Sequence, residues 1–123
     1  MIVLVAAGGA AGSVLRYTAG FVLSNLFGTA WPYGTIAVNL CGSFLIGLSA
    51  SFFAMRCPDP RLAALCIAGF LGGFTTFSSF MNETIQFLLG GEWASAAIYL
   101  FLQIAGGLAA AALGIGCFRL LAL

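Results

Sequence analysis

Residues 17–55, YTAGFVLSNLFGTAWPYGTIAVNLCGSFLIGLSASFFAM, contain no Asp, Glu, Lys, Arg or His. A helix crossing the hydrocarbon core of a bilayer needs about 20 apolar residues, so this run exceeds one span and suffices for two. Trp31-Pro32-Tyr33 divides it, because proline breaks a helix and paired aromatics mark a membrane interface. Outward from there, the charges at Arg16, Arg56, Asp59, Arg61, Glu83, Glu92 and Arg119 bound the remaining apolar segments. Arg56-Cys57-Pro58-Asp59-Pro60-Arg61 is a polar connection, and Gly90-Gly91-Glu92-Trp93 is a turn. The reading is an all-α integral membrane protein, one transmembrane domain over 1–123, with helices at about 2–26, 34–55, 61–89 and 94–118.

Composition agrees. The chain of 123 residues is 63% hydrophobic and 6% charged, with a mean hydropathy of +1.16. A soluble domain is about 25% charged, so seven ionisable acids and bases could not cover a globule of this size. The apolar content equally excludes a solvated coil. A net charge of +1, without His or Lys, provides no basic field for nucleic acid. The N-terminus lacks a basic n-region and its apolar run continues past Arg16 to Phe27, so no cleaved signal is expected despite Ala6-Ala7-Gly8. Cys41, Cys57, Cys66 and Cys117 show no CxxC spacing and read as small buried hydrophobes. Arg56, Arg61 and Arg119 favour a cytoplasmic N-terminus, three charges against none or one.

Residues at four-residue spacing are mostly small: Gly8, Gly12, Arg16, Gly20 and Ser24 on one face of helix 1, Ser43-Gly47-Ser51 in helix 2, and Gly106-Ala110-Gly114 in helix 4. This spacing lets helix backbones approach closely in lipid and implies a compact bundle. Helix 3 carries Gly69-Phe70-Leu71-Gly72-Gly73-Phe74-Thr75-Thr76-Phe77-Ser78-Ser79-Phe80 near its middle. Adjacent glycines and four hydroxyl residues are a poor helix prescription. Unwound backbone at that depth survives only where its amides and carbonyls meet an ion, a cavity or another chain. An intact helix, with Ser and Thr bonded back to i−4 carbonyls, is the alternative.

Other polar groups lie around that stretch. Phe77 and Phe80 share a face beyond the break, where ring edges can attract an anion. Thr35, Asn39 and Ser43 form a stripe on helix 2, and the Asn39 amide can donate to an anion without carrying charge. Tyr99 and Gln103 share a face of helix 4. Arg16 is a cation deep in a span, suited to a vestibule, and Glu83 is an embedded carboxylate, functional by default.

Three segments together resemble the Fluc family of fluoride channels, also called CrcB proteins. Gly8-Gly9-Ala10-Ala11-Gly12-Ser13-Val14-Leu15-Arg16-Tyr17 resembles the family's GGxxGxxxRY, and Gly34-Thr35-Ile36-Ala37-Val38-Asn39 its GTxxVN. Gly72-Gly73-Phe74-Thr75-Thr76-Phe77-Ser78-Ser79-Phe80 resembles GGxTTFSTF, with Ser79 where Thr is usual. The resemblance implies an antiparallel, dual-topology homodimer in the bacterial inner membrane, exporting fluoride passively and so protecting the cell. It implies a central structural Na⁺ on the backbone carbonyls of Gly72 and Thr75, with two fluoride pores beside it. By position, Phe77, Phe80, Asn39, Ser78 and Ser79 match pore-lining residues, with Thr35, Tyr99 and Gln103 beside them. Arg16 matches the vestibule arginine and Glu83 the helix 3 acid. Helix 4 departs from the pattern. Along Tyr99, Gln103, Gly107 and Ala111 only the first two are polar, leaving water or the helix 3 serines to complete a track.

Two other classes fit parts of this pattern. A proton-coupled exporter of the small multidrug-resistance type also has four short helices, but needs a titrating acid in helix 1, where this chain has Arg16. A non-transporting assembly subunit would account for the small-residue faces, but not for a polar, glycine-rich stretch in mid-span. No catalytic constellation is present, and an enzyme is not expected.

Overall fold

A computed structural model describes residues 1–122, and these are helical nearly throughout. The elements are α1 (Ile2–Phe27), α2 (Tyr33–Met55), α3 (Pro60–Ala63), a π-helical segment (Ala64–Leu71), α4 (Gly72–Phe74), α5 (Phe77–Leu89) and α6 (Trp93–Leu121). Segments Ile2–Phe27, Tyr33–Met55, Pro60–Leu89 and Trp93–Leu121 are each long and apolar enough to cross a membrane. The chain is a multi-pass membrane protein.

The ends of the helices follow from local chemistry. Gly28 takes φ 84° and closes α1, and Pro32 precedes α2. Asp59 caps the third span, its Oδ1 accepting from the Arg61 and Leu62 amides at 2.8 and 3.4 Å, with Pro60 at the first helical position. Arg56 donates from Nη2 to the Ala122 carbonyl at 2.8 Å, so the polar connection ties down the end of α6. The four cysteines are free. Cys41 is exposed on the surface of the chain and the others are half-buried, a correction to the reading of all four as buried hydrophobes. Its reason is that a single bundle of four helices turns most of its surface outward.

Helix pairing follows the small residues. α1 packs on the π-helical segment and α4, and α2 packs on α6. A methyl group on Gly8 would overlap the Leu65 carbonyl oxygen, and one on Gly12 that of Phe70. Gly47 meets the Ala111 carbonyl and Gly114 that of Phe44 in the same way. Such contacts replace the hydrophobic drive that lipid does not supply.

The third span is interrupted at Thr75 (φ −85°, ψ 159°) and Thr76 (φ −149°, ψ 116°), both extended. The interruption follows the glycines rather than occupying them: Gly72 is helical, at φ −63° and ψ −36°. Gly69 and Gly73 instead permit close approach, to Gly8 and Gly9 respectively. Before the break the span packs on α1; after it, α5 packs on α6. The two extended residues let one span change neighbours.

Gly114→Ala and Gly116→Ala are the same change on the same helix, but only Gly114 has a backbone against it. Alanine is favoured over glycine in a helix by about 1 kcal/mol. The expected outcome is a lower apparent melting temperature in detergent for Gly114→Ala and an unchanged or higher one for Gly116→Ala. Equal responses would contradict the α2–α6 crossing.

Candidate ion-conduction site

An extended pair of residues inside a span exposes backbone groups that lipid cannot satisfy, each at a cost of several kcal/mol. The structure supplies a partner for most of them. Asn39, on α2, donates from Nδ2 to the Thr76 carbonyl at 3.0 Å and accepts the Thr76 amide on Oδ1 at 2.8 Å. Arg16, on α1, donates from Nε to the Gly73 carbonyl at 3.0 Å. The Thr76 hydroxyl caps α5 by accepting the Ser79 amide at 3.2 Å, and contacts the Ser79 hydroxyl at 3.1 Å. Thr75 keeps a back-bond of the intact-helix kind, Oγ1 to the Leu71 carbonyl at 2.9 Å, although the backbone opens immediately after it.

Three carbonyls, those of Gly72, Phe74 and Thr75, are left without their helical donors among the described residues. The Thr76 amide that would have served Gly72 is turned to Asn39, and the Ser79 amide that would have served Thr75 goes to the Thr76 hydroxyl. The Gly72 and Thr75 carbonyls therefore lose their helical donors. Both residues line a groove of about 210 Å³, with Gly42, Ser43, Ile46 and Leu71. Among the described residues no three His, Cys, Asp or Glu side chains come together to hold a metal. A cation here would be held by backbone oxygens.

On the other side of the break is a recess of about 230 Å³ lined by Asn39, Ser43, Thr76, Phe77, Phe80 and Gln103. Phe80 is 4% exposed and Phe77 72%, with ring centroids 5.9 Å apart and planes at 80°. Phe80 packs edge-on to Tyr99 at 5.2 Å, and Tyr99, 0% exposed, is also flanked by Trp31 and Phe87. From this recess a chain of hydrogen bonds runs along α6 to α5 and α2. Gln103 Nε2 donates to the Tyr99 hydroxyl at 3.1 Å, Tyr99 donates to Glu83 Oε2 at 2.5 Å, and Thr35 donates to Glu83 Oε1 at 2.7 Å. Glu83 also faces a second recess, of about 290 Å³, bounded by Thr29, Pro32, Gln86 and Glu92 near the turns. The chain thus joins two recesses.

Of the residues named from the sequence, Asn39, Phe77, Phe80 and Gln103 meet in one recess; Tyr99 adjoins it, and Glu83 and Thr35 lie farther along the hydrogen-bond chain, Glu83 at the second recess. Ser79 lies beside Thr76, while Ser78 is exposed and reaches only the Thr76 hydroxyl, at 3.5 Å. Arg16 is half-buried against Gly73 and is not among the residues lining either recess. Ser43, which sequence reasoning placed on the helix 2 stripe without a role, lines both the groove and the recess. Its i+4 spacing from Asn39 was the available signal.

A profile described as "CrcB-like protein, Camphor Resistance (CrcB)" matches residues 3–115. The chain belongs to the CrcB family. Curated relatives are similar over nearly their whole lengths. A protein of Cupriavidus taiwanensis named fluoride-specific ion channel FluC is 46% identical over 122 residues, covering 98% of this chain and 95% of the relative. Proteins of the same name are 44% identical in Rhizobium johnstonii (98% and 97% covered) and 40% in Chloroflexus aurantiacus (96% and 94%). These CrcB relatives are named as channels, not as enzymes.

Asn39→Leu would strip both partners from Thr76 and leave a half-buried amide and carbonyl unpaired, at up to about 1–3 kcal/mol each. The expected result is a clearly lower apparent melting temperature, whereas Asn39→Gln retains part of the pairing and falls less. A stable Asn39→Leu protein would mean the break is held by something else.

Proposed function

We propose that this CrcB protein is a passive, selective fluoride channel of the bacterial plasma membrane, letting cytoplasmic fluoride leave down its gradient. Hydrogen fluoride crosses lipid and ionises in a near-neutral cytoplasm, so an anion-selective exit relieves the cell of a trapped, toxic ion. The observation that carries this reading is the recess at the break. It is lined by uncharged donors, the Phe77 and Phe80 rings and Ile104, in a chain whose relatives are named fluoride-specific channels.

Fluoride is small and strongly hydrated, so a pore must replace its water with donors at close range. Asn39 uses one amide hydrogen on Thr76 and has a second to give, and Gln103 likewise has one beyond its bond to Tyr99. The hydroxyls of Ser78 and Ser79 add donors, and Phe77 and Phe80 present electropositive edges. The N-terminus of α5 opens at this recess, and its partial positive charge favours an anion there. Neutral ligands hold an ion firmly enough to admit it and weakly enough to release it. Thr35, Tyr99 and Glu83 form the stretch between the two recesses, and Arg16 is the cation nearest the break on α1.

The working unit is an antiparallel, dual-topology homodimer with two pores. Support comes from the exposed Phe77 ring and from the open groove at Gly42, Gly72 and Thr75, both of which a second copy would cover. The Gly72 and Thr75 carbonyls, deprived of helical donors, suit a hard cation, and Na⁺ is the ion proposed there. Such a cation would hold the opened backbone and offset the desolvation of a nearby anion.

Growth of a bacterium lacking its own fluoride efflux tests this reading. Expression of the chain is expected to restore growth in fluoride. Phe80→Ile is expected to abolish the rescue with the dimer still assembled, by removing the ring; Asn39→Asp, which places a negative charge at the recess and also loses the donor to the Thr76 carbonyl, is expected to abolish it as well. Full rescue by Asn39→Asp would remove Asn39 from the ion path.

A further inference from the structure

The α6 stripe loses its polar character after Gln103, since Gly107 and Ala111 follow at the next two turns. Directly across from that gap stands a hydroxyl on another helix. A Cβ built on Gly107 would lie 3.4 Å from Ser43 Oγ, so the serine oxygen occupies the edge of the space that a side chain at 107 would use. Ser43 lines the recess with Asn39, Phe80 and Gln103, and also the groove with Gly72 and Thr75. Several hydroxyls elsewhere in the chain bond back to a carbonyl of their own helix, as Thr18, Thr75 and Thr84 do. Ser43 makes no such bond, nor any other among the described residues, which leaves a half-buried donor uncommitted. Half-buried Ser13, Ser49 and Ser51 also make no hydrogen bond, but Ser43 is the one of the four that lines both the recess and the groove, where its hydroxyl, not sealed in the packing, can meet a ligand.

We propose that the Ser43 hydroxyl is an anion donor of the conduction path, supplied by α2 in place of the side chain that α6 lacks at Gly107. It would extend the line of neutral donors one turn beyond Asn39, toward Thr75. The ligand is a small, strongly hydrated anion, and the inference rests on the channel reading above.

The test is a hydroxyl swap, read as fluoride efflux from liposomes containing the full-length protein. Ser43→Ala removes a donor without leaving an unpaired group, and is expected to lower efflux at low fluoride by about tenfold, the effect of one hydrogen bond to a charged group. It should also raise the fluoride concentration giving half-maximal efflux. Adding Gly107→Ser to Ser43→Ala returns a hydroxyl to the same space from the opposite helix, and should restore most of the rate. Unchanged efflux in Ser43→Ala, with the unaltered protein conducting, overturns the proposal and leaves the channel reading intact. A loss that Gly107→Ser does not repair also overturns it, because packing rather than donation would be at stake. An unaltered protein that passes no fluoride removes the channel reading and this inference with it.

Discussion

Two extended residues, Thr75 and Thr76, sit in the middle of an apolar span, and the bilayer offers nothing to their backbone. The reciprocal pair between the Asn39 carboxamide and the Thr76 amide and carbonyl is what makes that conformation tenable. Arg16 holds the Gly73 carbonyl from the other side. Much of the surrounding arrangement depends on this pinning. The third span can leave α1 for α6, α5 gains a free N-terminus beside a recess, and the Gly72 and Thr75 carbonyls are released from the helix. Close glycine contacts along α1 bring Arg16 within reach, since Gly8 and Gly12 admit the π-helical segment and Gly9 admits Gly73.

In the proposed channel, the same pinning lets an anion path be built from neutral ligands. Arg16, which would bind an anion tightly, gives its Nε to a carbonyl. Glu83, which would repel one, is met by hydroxyl donors from Thr35 and Tyr99. Lining the recess are the carboxamides of Asn39 and Gln103, the hydroxyl-bearing Ser43 and Thr76, and the apolar Phe77, Phe80 and Ile104. A ligand set of that kind offers many modest attractions rather than one deep well, the condition for passage rather than capture.

Much of this could be read from the chain alone. Gaps between charges give four spans, because hydrocarbon excludes ionised side chains over a length that the helical rise converts to about 20 residues. The glycine- and hydroxyl-rich stretch of the third span announces a fault in the helix, and its motif, with two others, announces the family. The exact point of opening was hidden. Glycine is a weak helix former, but Gly69 and Gly73 are needed for close crossing, so the fault falls on the threonines. Also hidden was the π-helical stretch, since ALCIAGFL is an ordinary apolar run whose wider turn has no compositional mark. Pairings such as Asn39 with Thr76, or Thr35 with Glu83, join residues far apart in sequence and require the crossing geometry first. For Asn39, an interhelical hydrogen bond does not compete with donation to an anion. One amide hydrogen goes to the Thr76 carbonyl, and a carboxamide carries a second.

The proposed channel conducts fluoride unaided, through a path lined by neutral donors at a pinned break. Its most direct measurement is fluoride release from liposomes containing only the purified chain, followed with a fluoride electrode beside a chloride control. Rapid fluoride release with chloride retained is the predicted result. Retention of both ions by well-folded, dimeric protein would contradict it.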